Sequence, residues 1–485
     1  MYEQQQEWHQ RRGRRRLVLF PCPLQGHINP MLQLATLLHS HYQRILSITI
    51  VHIHFNSPNS SKYPDFTFLP ISDGLSPSQS TKDVIALLSL LNHNCANPFR
   101  ECLINEILSQ QNEPPVACII SDAIMHFTQS VADSLQLPRI VLRTSSPTNF
   151  VIFAAFPLLR QRGYLPIKES ELEAPVPELP PLKVKDIPMI KTGNLEGLFT
   201  LISEMVNQTK ASAGLIWNSF ESLEQTSLES LRHEFPAPNF AIGPFHKFAP
   251  AISSSLLTQD RSCLSWLNTQ APSSVIYISF GSIAAIDEAQ LVEMALGIAH
   301  SGQPFLWVIR PGLVVDHDKS GQEINKDVDL TKFLPQKVKE MMKLHSGRGC
   351  IVKWAPQLEV LAHPAVGGFW THSGWNSTLE SICEGVPMLC WACFGDQMVS
   401  ARYVSEVWRV GFQLENGLQH GEIETYIKRL MVQENNRERE EMIERVKDLQ
   451  ERAELCIKKG GSSFKSLENL TDYIFSLKIR KARLA

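Results

Sequence analysis

The segment from Trp354 to Gln397 constrains this chain more than any other. An apolar strand, Gly349-Cys350-Ile351-Val352, delivers Trp354 to a strand end, and a helical pattern follows with Leu358, Leu361 and Val366 at its buried positions. A second strand, Gly367-Gly368-Phe369-Trp370, runs into the turn His372-Ser373-Gly374-Trp375. Asn376 or Ser377 is placed to cap a helix from Thr378 to Cys383, which Gly385-Val386-Pro387 ends. Strand, glycine-containing turn and capped helix aim backbone N–H groups and the positive end of a helix dipole at one point. That point suits an anion.

The polar residues around it sort by role. His372, Asn376 and Ser377 are short donors suited to phosphate oxygens, and Glu380, expected in the first turn of the same helix, can accept from ribose hydroxyls. Trp354 offers a flat face on which a base can stack. Asp396 and Gln397 pair a carboxylate with an amide, a combination that grips sugar hydroxyls. A buried Trp is most often core and a Ser or Asn before a helix most often only a cap. The ordered set, not any one member, points to a nucleotide carrying a sugar.

A chain of 485 residues is long for one domain, and two are expected. Hydrophobic residues at 43% and charged residues at 20% leave ample core, and a net charge of −3 argues against nucleic acid or an anionic membrane as the main partner. The basic run Arg11-Arg12-Gly13-Arg14-Arg15-Arg16 reads as a solvated arm. Ten cysteines without a regular framework fit a reducing compartment. Cys390-Trp391-Ala392-Cys393 is formally a C-x-x-C, but no second pair stands at the spacing zinc requires, so packed thiols are expected. The first sixteen residues are polar and basic, unlike a signal peptide, and the longest apolar run, Phe150 to Leu159, is far short of the ~20 residues of a membrane span. Asn376-Ser377-Thr378 is a sequon inside the proposed anion site, an awkward place for a glycan. A cytoplasmic protein is therefore expected.

Along the chain, short continuous apolar runs alternate with helical patterns, as in a doubly wound α/β protein. Leu17-Val18-Leu19-Phe20 reads as a buried strand ending in a Pro/Gly turn that presents His27, before a helix from Met31 to Leu38. The G-x-G-x-x-G fingerprint of dinucleotide binding is absent from this turn. Strands are expected at Ser47–Ile53, Val116–Ile120 and Arg139–Leu142, which puts His27, Asp122 and Thr144 just past strand ends, the edge along which such sheets bind ligands. His52 and His54 share a strand face but lack a third metal ligand. Residues 166–195, rich in proline and acidic residues, read as a surface loop, and Pro250 to Thr258 as a linker. A second series of strands begins at Val275–Phe280 and Phe305–Ile309. Asp316-His317-Asp318 has the D-x-D form of a metal motif but lies in a long polar stretch. After Gly460-Gly461, Leu467, Leu470, Ile474 and Leu477 mark a last amphipathic helix.

The segment Trp354–Gln397 resembles the signature box of plant UDP-dependent glycosyltransferases (glycosyltransferase family 1). Pro21-Cys22-Pro23-Leu24-Gln25-Gly26-His27-Ile28-Asn29-Pro30, Ser279-Phe280-Gly281-Ser282 and Gly460-Gly461-Ser462-Ser463 fall in the family's order, so the likeness covers nearly the whole chain. The wording of Ala213-Gly214-Leu215-Ile216-Trp217-Asn218-Ser219-Phe220 is most similar to the subfamily of steviol and cytokinin glucosyltransferases. The resemblance implies two facing Rossmann-like domains (the GT-B architecture). Residues 1–249 would bind the acceptor and 250–459 the UDP-sugar, with 460–485 a helix returning to the first domain. It implies His27 as catalytic base, oriented by Asp122. It places Trp354 against uracil, Ala355 and Gln357 beside the nucleotide, and Glu380 on ribose. Ser282, His372, Gly374, Asn376 and Ser377 would surround the diphosphate, while Thr144, Trp375, Asp396 and Gln397 would meet the sugar. Trp375 and Gln397 are the family's usual glucose-type residues. Ala392 and Ser400 depart from the pattern, where proline and asparagine are common.

The implied reaction is inverting transfer of glucose from UDP-glucose, without metal or other cofactor, to a hydroxyl or carboxyl of a small hydrophobic plant metabolite such as a flavonoid, phenolic or terpenoid. The acceptor would meet variable segments near residues 75–100 and 145–205, with Phe150, Phe153, Phe156 and Leu158 supplying apolar surface. A monomer is expected. The alternative is a catalytically weak UDP-sugar sensor or partner subunit, which loss of His27 or Asp122 would have favoured. Both are present. A G-x-S-x-G elbow and a Walker loop are absent, which sets aside hydrolase and NTPase readings.

Overall fold

The apolar runs of the sequence become the strands of two all-parallel sheets. The structure, a computed structural model, describes residues 13–75, 83–248, 255–314, 335–341, 347–432 and 437–478. The basic run up to Arg12, most of the expected linker and the Asp316-His317-Asp318 motif lie outside the described residues. The first sheet contains β1 (Arg15–Phe20), β2 (Leu46–Ile53), β3 (Thr67–Ile71), β4 (Val116–Asp122), β5 (Arg139–Arg143), β6 (Gly214–Trp217) and β7 (Asn239–Ala241), in the order β3-β2-β1-β4-β5-β6-β7. The second contains β8 (Val275–Ser279), β9 (Phe305–Val308), β10 (Gly349–Val352), β11 (Val366–Thr371), β12 (Met388–Cys390) and β13 (Gly411–Gln413), in the order β10-β9-β8-β11-β12-β13.

Helices cover both faces of such sheets, so central strands carry no alternation. Leu17, Val18, Leu19 and Phe20 of β1 are all at 0% exposure. Each order reverses once, between β1 and β4 in the first sheet and between β8 and β11 in the second. At these reversals the crossovers part to opposite faces and leave a crevice beyond the carboxyl ends of the strands. His27 and Asp122 follow or end β1 and β4. Ser282 and His372 follow β8 and β11.

The described residues fall into two compact units. One draws on Met1–Leu165, Ile190–Leu256 and Glu454–Ala485, the other on Pro166–Met189 and Leu257–Ala453. The amphipathic helix Ser462–Ser476 packs in the first unit, where Leu467, Leu470 and Ile474 join the core formed by Leu17, Leu19, Leu34 and Ile120. The core of the second unit gathers Ile276, Phe280, Trp307, Trp370 and Leu389 around its sheet.

Several local expectations change. The helix after β1 spans Gln25–Tyr42 rather than starting at Met31. Pro30, which reads as a break, falls in its second turn, so His27 sits on the helix itself. The stretch Ser40 to Leu46 manages without a glycine because none of its residues needs a positive φ, and Ile45 N–H closes the turn onto Tyr42 O at 2.9 Å. The sequence reading missed β3, β12 and β13: β12 and β13 have only three residues each, and β3 and β13 are sheet edges. Residues 166–189, expected to be loop on the first domain, belong to the second unit. A buried ion pair between Asp186 and Arg402 (Nε to Oδ2, 2.9 Å) fastens them there.

Candidate functional site

In the first unit the turn Pro21–Leu24 places His27 at the mouth of its helix, and Asp122 closes β4 beside it. His27 Nδ1 lies 2.7 Å from Asp122 Oδ2 and 2.8 Å from Thr144 Oγ1. Asp122 is 1% exposed, and its second oxygen accepts the Ile124 N–H at 2.9 Å, so the carboxylate cannot turn away. A carboxylate only accepts, which assigns the proton of a neutral His27 to Nδ1 and leaves Nε2 as a lone-pair acceptor. Beneath, the fully buried Arg139 binds Ser121 Oγ at 2.7 Å, and burial lowers its pKa to about 9. Thr144, expected to meet sugar, is held against the histidine. Arg139 had no sequence signal; its role follows only from the register of β5 on β4.

In the second unit the residues expected around an anion are held by backbone and close approach. Gly281 (φ +66°) and Gly374 flank the His372 ring: a Cβ on Gly281 would lie 2.6 Å from the ring, and one on Gly374 2.4 Å from Nε2. Burial, then the charge of Arg310, lower the His372 pKa to about 4, partly countered by the Ser279 backbone, so the ring is a neutral donor at physiological pH. Arg310 donates to Gly281 O at 2.9 Å and to Ala284 O, pinning the turn that carries Ser282. The sequence reading missed Arg310, which lies just past β9 where no motif marks it.

The helix beyond His372 spans Trp375–Cys383, with Gly374 as its N-cap and no side-chain capping bond. This corrects the expectation that Asn376 or Ser377 caps it. Both lie inside the first turn, so no protein side chain occupies the cap position at the helix mouth. Glu380 consequently sits in the second turn rather than the first. The Gln357 amide donates to Ser377 Oγ at 2.8 Å and to Glu380 Oε2 at 2.7 Å, and accepts from the Tyr277 hydroxyl at 3.2 Å. Burial, opposed by Gln357 and aided by Glu384, raises the Glu380 pKa to about 7. Trp354 is partly exposed at the end of β10, and Ala355 beside it is 4% exposed.

Asp396 is half-buried at the N-terminus of the helix Gln397–Arg402. Gln397 is buried, and its Oε1 accepts the N–H groups of Cys393 at 3.0 Å and Phe394 at 3.2 Å, so it shapes the loop it follows. Ser400 closes onto Asp396 O at 3.2 Å. The structure thus gathers His27, Asp122 and Thr144 in one unit and the nucleotide-type residues in the other. Cys390 and Cys393 are free, with burial raising both thiols to about 12, which fits packing rather than redox chemistry. Among the described residues no group of three or more His, Cys, Asp or Glu could hold a metal ion, and no helix is long and apolar enough to cross a membrane. Phe150, expected to line an acceptor pocket, instead packs in the core against Phe235 and Trp217 with ring centroids 5.2 and 5.5 Å apart.

Two doubly wound units, one holding an oriented histidine and the other the residues expected around a nucleotide, have the form of a GT-B transferase. The profile of UDP-glucoronosyl and UDP-glucosyl transferase matches residues 39–448. The chain is 49% identical over 460 residues to UDP-glycosyltransferase 76B1 of Arabidopsis thaliana, covering 95% of this chain and 98% of that one. It is 46% identical over 475 residues to UDP-glycosyltransferase 76G1 of Stevia rebaudiana (96% and 98%). Among solved structures, UGT2 of Phytolacca americana complexed with UDP-2fluoro-glucose and pterostilbene is similar at TM-score 0.78 and 26% identity (95% and 99% covered). UGT71G1 of Medicago truncatula complexed with UDP-glucose is similar at TM-score 0.76 and 25% identity (96% and 99%). The chain belongs to the plant UDP-dependent glycosyltransferases. It is an enzyme that moves a sugar from a UDP-sugar to an acceptor.

Proposed function

We propose that this enzyme transfers glucose from UDP-glucose, with inversion, to a hydroxyl or carboxyl of a small hydrophobic plant metabolite, acting as a cytoplasmic monomer without a metal. The first unit takes the acceptor and the second the donor. The observation that carries the reading is the 2.7 Å contact of His27 Nδ1 with the buried Asp122, which leaves Nε2 to take a proton. Nε2 removes the acceptor's proton as its oxygen attacks the anomeric carbon. The new C–O bond forms opposite the breaking bond to the diphosphate, UDP departs, and an α-linked donor yields a β-glucoside. Asp122 stabilises the imidazolium as it forms, while Thr144 steadies the ring.

The departing diphosphate gains charge, and fixed donors aimed at it do the electrostatic work. His372, Asn376, Ser377, Ser282 and the helix start at Gly374 are assigned to it. Uracil stacks on Trp354 above Ala355, Gln357 borders the nucleotide, and Glu380 accepts from ribose. Trp375, Asp396 and Gln397 meet the sugar. Glucose as donor is supported by Trp375 and Gln397 and by the UDP-glucose and fluoro-glucose ligands of the two structural relatives. A flat or bulky apolar acceptor is supported by the partly buried Phe153 and by the pterostilbene bound by the Phytolacca enzyme.

The test is UDP release from UDP-glucose against a panel of flavonoids, diterpenoid glycosides and cytokinins, with products weighed by mass spectrometry. A hexose added to one class supports the reading. Binding of UDP-glucose with no acceptor modified by any member favours a sensor, and no binding at all removes the proposal.

A further inference from the structure

The segment Pro166–Met189 leaves the first unit's chain path, joins the second unit, and ends under the loop assigned to the sugar. Arg402 is the last residue of the helix that Asp396 and Gln397 begin. Its guanidinium grips Asp186 through Nε to Oδ2 at 2.9 Å and Nη2 to Oδ1 at 3.3 Å, a two-pronged pair whose side chains are 3% and 1% exposed. Arg402 Nη1 also reaches Glu415 at 2.9 Å, and Lys185 closes the circuit by pairing with Glu415 and, at 2.6 Å, with Glu173. Three residues past Asp186 the same segment offers a second hold: Met189 O accepts the N–H of Gly395, the residue before Asp396, at 2.8 Å. The loop is therefore fixed from beneath at both ends of its helix.

A buried ion pair is a poor source of stability, since well-packed apolar residues commonly serve as well. Its value lies in geometry: planar forks fix distance and orientation. We propose that Asp186 and Arg402 are positioning residues for sugar recognition, holding the Gly395–Gln397 loop in register so that Asp396 and Gln397 meet the hexose of the donor. This rests on the assignment of those two residues to the sugar. The pKa directions agree, with Arg402 raised against burial by Glu415 and Asp186, and Glu415 held down to about 2.

The experiment is calorimetric binding of UDP and of UDP-2-fluoroglucose to the full chain, wild type and Asp186→Asn. Asparagine keeps the shape and removes the charge. The expected result is that affinity for UDP-2-fluoroglucose falls by roughly ten- to hundredfold, the cost of a small misplacement, while UDP affinity stays within about twofold. Arg402→Lys, which keeps the charge but not the fork, should show a smaller selective loss. If Asp186→Asn does not fold, Glu415→Gln at the half-exposed end of the network replaces it, with a selective loss of about threefold expected. Equal weakening of both ligands, or of neither, overturns the proposal. Failure of the wild type to bind either ligand overturns instead the functional reading on which it rests.

Discussion

The two sites are built on different principles. In the first unit, side chains complete one another: His27 Nδ1 meets both Asp122 and Thr144, at 2.7 and 2.8 Å. In the second unit, the cradle is made by keeping side chains out. Gly281 and Gly374 let His372 lie against the backbone, and the helix from Trp375 starts without a side-chain cap. Chemistry calls for a proton acceptor held in one tautomer, whereas binding a diphosphate calls for donors left available to the ligand. Damage to the first site should therefore strike turnover alone, and damage to the second should strike affinity.

The largest effect is expected from Asp122→Asn. An amide can donate as well as accept, so His27 loses its fixed tautomer, and turnover should fall on the order of 10²–10⁴-fold with little change in UDP affinity. Steady-state rates with any acceptor found by the panel, paired with UDP calorimetry, measure both. A comparable loss in UDP affinity would erase the separation between the sites.

Next comes Gly374→Ala. The added Cβ would lie 2.4 Å from His372 Nε2 and displace it. Losing one hydrogen bond to a charged group costs about 1.5–3 kcal/mol, or roughly ten- to hundredfold in UDP affinity. Saturating UDP-glucose should recover most of the rate; a rate that stays low under saturation would place this glycine in the chemistry.

A smaller effect concerns pH. Burial raises the Glu380 pKa to about 7, and the proposed ribose contact would donate to its ionised form, so binding should favour the deprotonated state. UDP affinity should rise several-fold from pH 6 to 8, flattening above, and Glu380→Gln should remove the slope. His372 contributes no step in this window because its pKa is about 4. A slope that survives Glu380→Gln assigns the proton elsewhere. Smallest of all, alkylation at pH 8 should leave UDP binding unchanged, since Cys390 and Cys393 are held as thiols near 12. Loss of binding that tracks modification of Cys393 would contradict this.

Sequence legibility differed between the two sites for the same reason. His27, in the first turn of the helix after β1, and Asp122, the last residue of β4, are distinctive in type and lie near strand ends, but only the family resemblance marked them as base and partner. The second site was legible in order and composition but not in register. Ser and Asn are such strong capping residues that they drew the expected helix start to Thr378. In fact the chain caps with Gly374, which leaves the helix mouth without a side-chain cap, as the proposed phosphate site would require. Arg310 and Arg139 carry no local pattern, since their partners are backbone carbonyls or side chains brought near only by strand order. The Pro166–Met189 segment read as loop because its proline and charge content is that of a loop. That Asp186 is buried against Arg402, more than two hundred residues on, is a tertiary fact with no local trace.

The most direct test of the division of labour is one preparation of His27→Ala, assayed for glucosyl transfer and for UDP affinity side by side. The expected result is transfer reduced on the order of 10²–10⁴-fold, with a UDP dissociation constant equal to that of the wild type. Transfer within a few-fold of wild type would remove His27 as the base, and with it the chemistry assigned to the first unit.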